Sequence, residues 1–131
     1  FLRCGIRGDR EMDARLIDPA SEPSINLSVA AQQVLIEFAE FLGDDKDCIL
    51  ELVFDAERDR YLLVELGWER GYRIYGTLIH LEVLNSKIWV QQDGTEEGIA
   101  VDLVNLGVPK HQIVLGFKDP SMRALTEFAV E

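Results

Sequence analysis

The chain has 131 residues, 47% of them hydrophobic, and carries 24 acidic against 13 basic side chains, for a net charge of −11. This length predicts one domain that buries roughly two-thirds of its unfolded surface without disulfides or metals. The acidic balance argues against a protein that grips bare duplex DNA, because that affinity depends on neutralising phosphates, and it favours a basic protein partner. No apolar run reaches the about 18 residues that a membrane-spanning helix needs.

The two cysteines, Cys4 and Cys48, do not have the spacing of metal ligands. Cys48 alternates with Leu50, Leu52 and Phe54, so we interpret it as a reduced residue of the core. Because no signal peptide is recognisable either, we expect a cytoplasmic protein. The sequence predicts no cofactor and no metal.

Residues 1–24 show no periodicity, and interleave four arginines with acidic residues before two prolines. This pattern predicts an N-terminal arm or extension. The remaining residues, 25–131, are predicted to form a single α+β domain.

The first predicted element of this domain is a helix that begins at Asn26 or Ser28 and ends at Gly43. Its apolar residues recur at helical spacing and predict one stripe that packs on a sheet: Ala31, Val34, Leu35, Phe38, Phe41 and Leu42.

Two alternating segments, residues 48–55 and 60–68, predict a pair of strands joined by a short turn. The second strand offers two faces to the core. One face holds Tyr61 and Leu63. The other is longer, and we expect it to be the buried one: Leu62, Val64, Leu66 and Trp68.

A hairpin is predicted at residues 73–92, with Asn85 and Ser86 as its turn because both tolerate or stabilise turn conformations. Residues 73–83 alternate with the period of a strand. One predicted face holds Tyr75, Thr77, Ile79, Leu81 and Val83. The opposite face holds Ile74, Gly76, Leu78, His80 and Glu82.

A second helix is predicted after Thr95, capped by Asp93 or Thr95, with Glu96 and Glu97 in its first turn. It ends at Gly107, before a proline. Residues 113–117 predict a fifth strand, and the tail predicts a helical turn followed by an extended segment at 126–130. The resulting fold class is α+β: an antiparallel meander of four to five strands with both helices on one face.

No motif of a known catalytic site occurs in the chain. His80 and His111 have no evident partners, and a lone histidine in a strand is more often a packed structural residue than a base. Four polar residues lie near the ends of the hairpin and could form a cluster that binds a ligand: Arg73, Lys87, Gln91 and Asp93. Trp68 and Trp89 are expected to be packing residues, although one on an open sheet face could anchor a partner.

From residue 58 to residue 130 the sequence resembles the XisI-like proteins of cyanobacteria, also called fdxN-element excision controlling factors. The residues that carry the resemblance recur in order and spacing. They include Arg58-Asp59, Gly67-Trp68, Arg73, Tyr75-Gly76, His80, Lys87-Ile88-Trp89, Gln91, Asp93, Thr95-Glu96, Gly107-Val108-Pro109-Lys110, Pro120, Arg123 and Phe128-Ala129-Val130.

The resemblance implies a small α+β protein that is accessory to the excision of a DNA element. No catalytic residues are established for the family, so none is assigned to this chain, and we expect the protein not to be an enzyme. The resemblance also implies a partner, an XisH-like nuclease. Combined with the acidic charge, this favours a regulator that binds the nuclease and acts like an antitoxin. The candidate partner- or ligand-binding residues are Trp68, Arg73, Tyr75, His80, Trp89, Gln91, Asp93 and Arg123. A homodimer is expected.

Two other functions stay open at this point. A factor that contacts DNA directly would need a local basic patch, for which the candidates are Arg58, Arg60, Arg70 and Arg73. An enzyme or small-ligand-binding protein would need a pocket around His80, Gln91 and Asp93.

Overall fold

The computed structural model describes residues 25–131, so the predicted arm at residues 1–24 lies outside the described part of the chain. In chain order the helices and strands are α1 (Leu27–Leu42), β1 (Cys48–Asp55), β2 (Arg60–Glu69), β3 (Tyr72–Leu84), β4 (Lys87–Asp93), α2 (Ile99–Asn105), a 3-10 turn (Lys110–Gln112), β5 (Ile113–Leu115) and α3 (Pro120–Arg123).

The five strands form one sheet in the order β1-β2-β3-β4-β5. The first four are antiparallel neighbours, whereas β5 runs parallel to β4, because α2 carries the chain back across the sheet. Arg70 and Gly71 make the β2–β3 turn, and Asn85 and Ser86 the β3–β4 turn, with positive φ at both positions of each pair. Two positive φ values suit the twist of a tight hairpin. The predicted α+β class is confirmed.

Helix α1 is capped at its N-terminus by Asn26, whose side-chain oxygen accepts a hydrogen bond from the amide of Val29. It ends at Gly43, which has a φ of 70°. One side of α1 packs on the sheet together with α2, as the apolar stripe predicts. The core between helices and sheet consists of Leu27, Ala30, Ala31, Val34, Leu35, Tyr61, Leu63, Ile79, Leu81, Ile88, Val90, Ile99, Ala100, Leu103, Val108, Ile113 and Leu115.

On β2 the shorter of the two predicted faces is the buried one, so the preference for the longer set is wrong. Tyr61 and Leu63 are fully buried, whereas Trp68 is 57% exposed. The Tyr61 hydroxyl is hydrogen-bonded to Ser28 on α1 and donates to Asp59. Helix α1 therefore covers the first half of β2, and the longer set points away from it: Leu62, Val64, Leu66 and Trp68.

The predicted alternation along β3 is broken by a β-bulge. Leu63 pairs with Ile79 and the next residue, Val64, pairs with Thr77, so Leu78 is an extra residue in the ladder. The Leu78 carbonyl accepts instead from the amide of Gly94, at 2.8 Å. Beyond the bulge the two faces exchange, and the predicted grouping of Tyr75 and Thr77 with buried Ile79 is wrong.

The second helix is shorter than expected. It begins at Ile99, so Glu96 and Glu97 lie in the preceding loop rather than in its first turn. Strand β5 ends at Leu115, two residues before the predicted end. The tail makes the short helix α3 and then extends, and Ala129 pairs with Val114 beside β5.

Candidate functional site

The side of the sheet away from the helices is divided into a covered half and an uncovered half. The C-terminal tail lies over β4 and β5, where the Arg123 guanidinium is 5.3 Å from the centre of the Trp89 ring. We call the uncovered half, on β1, β2 and β3, the open face. The register of the strands assigns to it Ile49, Glu51, Val53, Asp55, Arg60, Leu62, Val64, Leu66, Trp68, Arg73, Tyr75, Thr77, His80 and Glu82.

Three predicted site residues meet at one end of the open face. The Arg73 guanidinium lies 5.3 Å from the Trp68 ring and 5.7 Å from the Tyr75 ring, and it donates to the carbonyl of Gly67. Trp68 is 57% and Tyr75 69% exposed. Exposed tryptophan, tyrosine and arginine in contact with one another are the residue types that dominate binding energy at protein interfaces.

Two further predicted residues, Trp89 and Arg123, hold the tail to the sheet. Besides stacking on Trp89, Arg123 donates to four backbone carbonyls. These belong to Leu115, Gly116, Lys118 and Val130. Because the Arg123 guanidinium bonds to so many acceptors of its own chain, it holds the C-terminal tail against the sheet. Gln91 lies against Gly116 at the start of that tail.

His80 lies on the open face, with a side chain that is 33% exposed. Its Nε2 atom is buried and has no hydrogen-bond partner among the described residues, and Glu82 Oε2 is 3.9 Å away. Glu82 in turn pairs with Arg60 at 3.3 Å.

Asp93 closes the loop that leads into α2. One carboxylate oxygen accepts from the amide and hydroxyl of Thr95, and the other accepts from the amide of Ile99 at 2.8 Å. Thr95 then accepts from the amide of Gly98. The carboxylate therefore supplies the cap that the helix start lacks from Gly98 itself.

A groove of about 560 Å³ lies on the helix side of the sheet, where the sequence analysis predicts none. None of His80, Gln91 and Asp93 lines it. Its walls are the second half of α1 and the loop after β4, and its lining residues are Val34, Glu37, Phe38, Phe41, Leu42, Leu78, Gly94, Thr95, Glu96, Glu97, Gly98 and Asp102. The apolar part comes from α1 and Leu78, and four carboxylates surround it. We call it the acidic groove.

Within residues 25–131, three groups have shifted pKa values. Burial, followed by the nearby carboxylates of Glu65, Asp45, Asp44 and Glu69, raises the pKa of Cys48. Burial raises the pKa of Tyr61, and the hydrogen bond to Asp59 adds to it. The backbone amide of Arg58, with the Arg58 guanidinium, lowers the pKa of Asp55. None of the three lines the acidic groove.

The four arginines proposed as a DNA-binding patch are not together. Arg58 and Arg60 lie at the start of β2, where they pair with Asp55 and Glu82. Arg70 and Arg73 lie at the other end of the same ten-residue strand. Among residues 25–131, no three His, Cys, Asp or Glu side chains are close enough to hold a metal ion. The helices of these residues include none with the length and apolar character to cross a membrane.

Together, a five-stranded sheet with one uncovered half, a tail held against the other half and an acidic groove define a small α+β protein. The chain belongs to the XisI family, since the family described as XisI protein matches residues 26–130. A crystal structure of a XisI-like protein from Anabaena variabilis ATCC 29413 is 34% identical, with a TM-score of 0.74 over 80% of this chain and 96% of that one. The fdxN element excision controlling factor XisI from the same organism is 31% identical, with a TM-score of 0.70 over the same shares of the two chains. Among curated proteins, none matches this chain.

Proposed function

We propose that this protein is a non-catalytic accessory factor in the control of DNA-element excision, and that it acts by binding a protein partner, an XisH-like nuclease, in the manner of an antitoxin. Membership of the XisI family supports the role in excision, since one solved relative is described as an excision controlling factor. The choice of a protein partner rests on the charge of this chain.

The acidic groove is the observation that carries the proposal. Glu96 and Glu97 are exposed at its edge, and the phenylalanines of α1 line its interior. A segment that presents an apolar side chain flanked by lysine or arginine would fit both features. Nucleases commonly expose such basic segments, because they must neutralise phosphates. A partner that occupied the groove would thus have a basic surface covered.

The separation of the arginines supports a protein partner over direct contact with DNA. A protein that follows a phosphate backbone needs several cations on one surface. Here two of the four candidates pair with carboxylates of the same chain, and the other two lie at the far end of β2.

Co-expression with an XisH-like nuclease tests the proposal, with Glu97→Lys in the groove and Glu57→Lys in the β1–β2 turn as its matched control. Both glutamates are exposed. We expect co-elution of the two proteins. Glu97→Lys should weaken the complex by about tenfold, because an attractive charge becomes repulsive, whereas Glu57→Lys should leave it unchanged.

Separate elution of the two wild-type proteins at micromolar concentration would overturn the proposal. Salt-sensitive retention of the isolated protein on element-end DNA would overturn it in favour of direct DNA binding. Equal weakening by the two lysine variants would show that general charge, and not the groove, attracts the partner.

A further inference from the structure

The open face exposes several large apolar and aromatic side chains. Val53 is 44% exposed, Ile49 52%, Trp68 57% and Tyr75 69%. Leu62, Val64 and Leu66 lie between them and are half-buried. Three strands of about nine residues give the whole face a projected area of roughly 400 Å². The apolar side chains occupy part of this area, and exposed apolar patches on a monomer often mark an interaction site.

The charges of this face distinguish between the partners that could cover it. Residues 25–131 carry nineteen acidic and nine basic side chains. On the open face the charged residues are balanced, three acidic and three basic if Lys87 at its edge is included: Glu51, Asp55, Glu82, Arg60, Arg73 and Lys87. Nearly all of the acidic excess of the described residues therefore lies outside this face.

A face with equal numbers of acidic and basic side chains fits an acidic partner better than a basic one. A surface built for a basic protein gains from an excess of carboxylates, as in the acidic groove. A surface that meets an identical, strongly acidic molecule must avoid like-charge repulsion at the contact. In a two-fold interface each copy presents the same patch. If the patch holds equal numbers of acidic and basic side chains, the acidic residues of one copy can face the basic residues of the other.

We propose that the open face is the contact between two copies of this chain, packed sheet on sheet around a two-fold axis. Sheets that face each other pack about 10 Å apart through interdigitating apolar side chains, which this face provides. The Trp68–Arg73–Tyr75 group at its end becomes covered in the pair. The acidic groove lies on the helix side, so each copy keeps its groove available.

The mass of the full chain in solution tests this inference. Light scattering during size-exclusion chromatography at micromolar concentration should give twice the 14.8 kDa of one chain. Val53→Asp should weaken the dimer by about a hundredfold or more, because every interface would bury two carboxylates without partners. Val101→Asp is the matched control, since this valine on α2 is 47% exposed against 44% for Val53. It should leave the dimer intact.

Tryptophan fluorescence gives a second measurement on the unaltered chain. Trp68 is exposed in one copy and would be covered in two, so its emission should shift to longer wavelength on dilution, and Trp68→Phe should abolish the shift. Circular dichroism checks that both aspartate variants are folded. A wild-type chain that is monomeric overturns the inference. The open face would then be covered by another segment of the chain or by another protein, and not by a second copy. A Val53→Asp variant that is folded and still dimeric overturns it as well.

Discussion

Gly67 on β2 occupies a position where the backbone leaves no room for a side chain. A Cβ atom there would lie 2.0 Å from the carbonyl oxygen of Asp47 and 2.9 Å from the Cα of Cys48. The same Asp47 oxygen accepts a hydrogen bond from the amide of Trp68, at 3.0 Å. We expect Gly67→Ala to lower the free energy of unfolding by about 2–4 kcal/mol, because the loop before β1 must move away. Urea denaturation measures it.

Gly76 on the neighbouring strand is the control for this prediction. A Cβ atom there meets nothing within 4 Å. Gly76→Ala should therefore change the free energy of unfolding by less than about 0.5 kcal/mol, or raise it slightly, since alanine restricts the unfolded chain. Equal losses in the two variants would contradict the argument from close approach.

Cys48 should react slowly with thiol reagents. Its pKa is raised by burial first and then by Glu65 and the neighbouring carboxylates, so less thiolate is present at any given pH. In a Cys4→Ser chain, the rate of alkylation by iodoacetamide should rise at higher pH than the rate for glutathione does. Adding Glu65→Gln should move that rise to lower pH, because a repelling charge is removed.

The raised pKa of Cys48 also determines how this thiol affects stability as the pH changes. A thiol whose pKa is higher in the folded state than in the unfolded state contributes stability below its unfolded pKa, and this contribution is lost as the pH rises. An alkylation profile that matched glutathione, with no response to Glu65→Gln, would show that the carboxylates do not act on Cys48.

At the scale of elements, the loop from β4 to α2 depends on a single carboxylate. Asp93 accepts hydrogen bonds at both of its oxygens, from the two donors of Thr95 and from the amide of Ile99. An asparagine keeps one acceptor and puts a donor in place of the other. Asp93→Asn should therefore lower the free energy of unfolding by about 1–3 kcal/mol, measured by urea denaturation.

Glu96→Gln, in the same loop, is the control for Asp93→Asn, and it should leave the stability unchanged, because this exposed side chain makes no hydrogen bond within the described residues. If Asp93→Asn were as stable as the wild type and yet lost partner binding, Asp93 would be a binding residue rather than a cap.

The helices and strands could be predicted from local sequence patterns. The errors concern features that contacts between these elements determine. Local patterns locate α1, four strands and the Asn85–Ser86 turn close to their observed bounds. They cannot reveal the bulge at Leu78, because the extra residue is defined by its pairing with β2 and by the bond from Gly94. Nor can they say which face of β2 is buried, since both faces are apolar and the position of α1 selects one.

The candidate site was predictable to a smaller extent, because the residues of the family pattern have different roles in the structure. Trp68, Arg73 and Tyr75 form an exposed group, as residues of an interface would. Asp93 and Arg123 instead stabilise a loop and the tail, which explains their place in the pattern without a ligand. The acidic groove combines α1 with a loop more than fifty residues later in the sequence, and no local signal joins two such segments.

At the scale of the whole molecule, the uneven charge predicts how stability depends on salt. Residues 25–131 carry nineteen acidic and nine basic side chains, and the ion pairs of these residues include Arg58–Asp55, Arg60–Glu82 and Lys110–Glu127. These pairs are partly exposed, so each contributes little. Repulsion between unpaired carboxylates, which is greater in the compact state, should therefore outweigh them.

Raising NaCl from about 10 mM to about 150 mM shortens the screening length from roughly 30 Å to roughly 8 Å. The midpoint of urea denaturation should consequently move to higher urea, because the repulsion across the molecule is screened more than the short ion pairs are. The protein concentration is held constant, since the proposed dimer would gain stability with concentration. Tetramethylammonium chloride at equal ionic strength is the control for effects specific to NaCl. It should raise the midpoint as NaCl does, because both salts screen charge equally. A midpoint that fell with salt would mean that attractive pairs, and not the excess of carboxylates, dominate the electrostatics of folding.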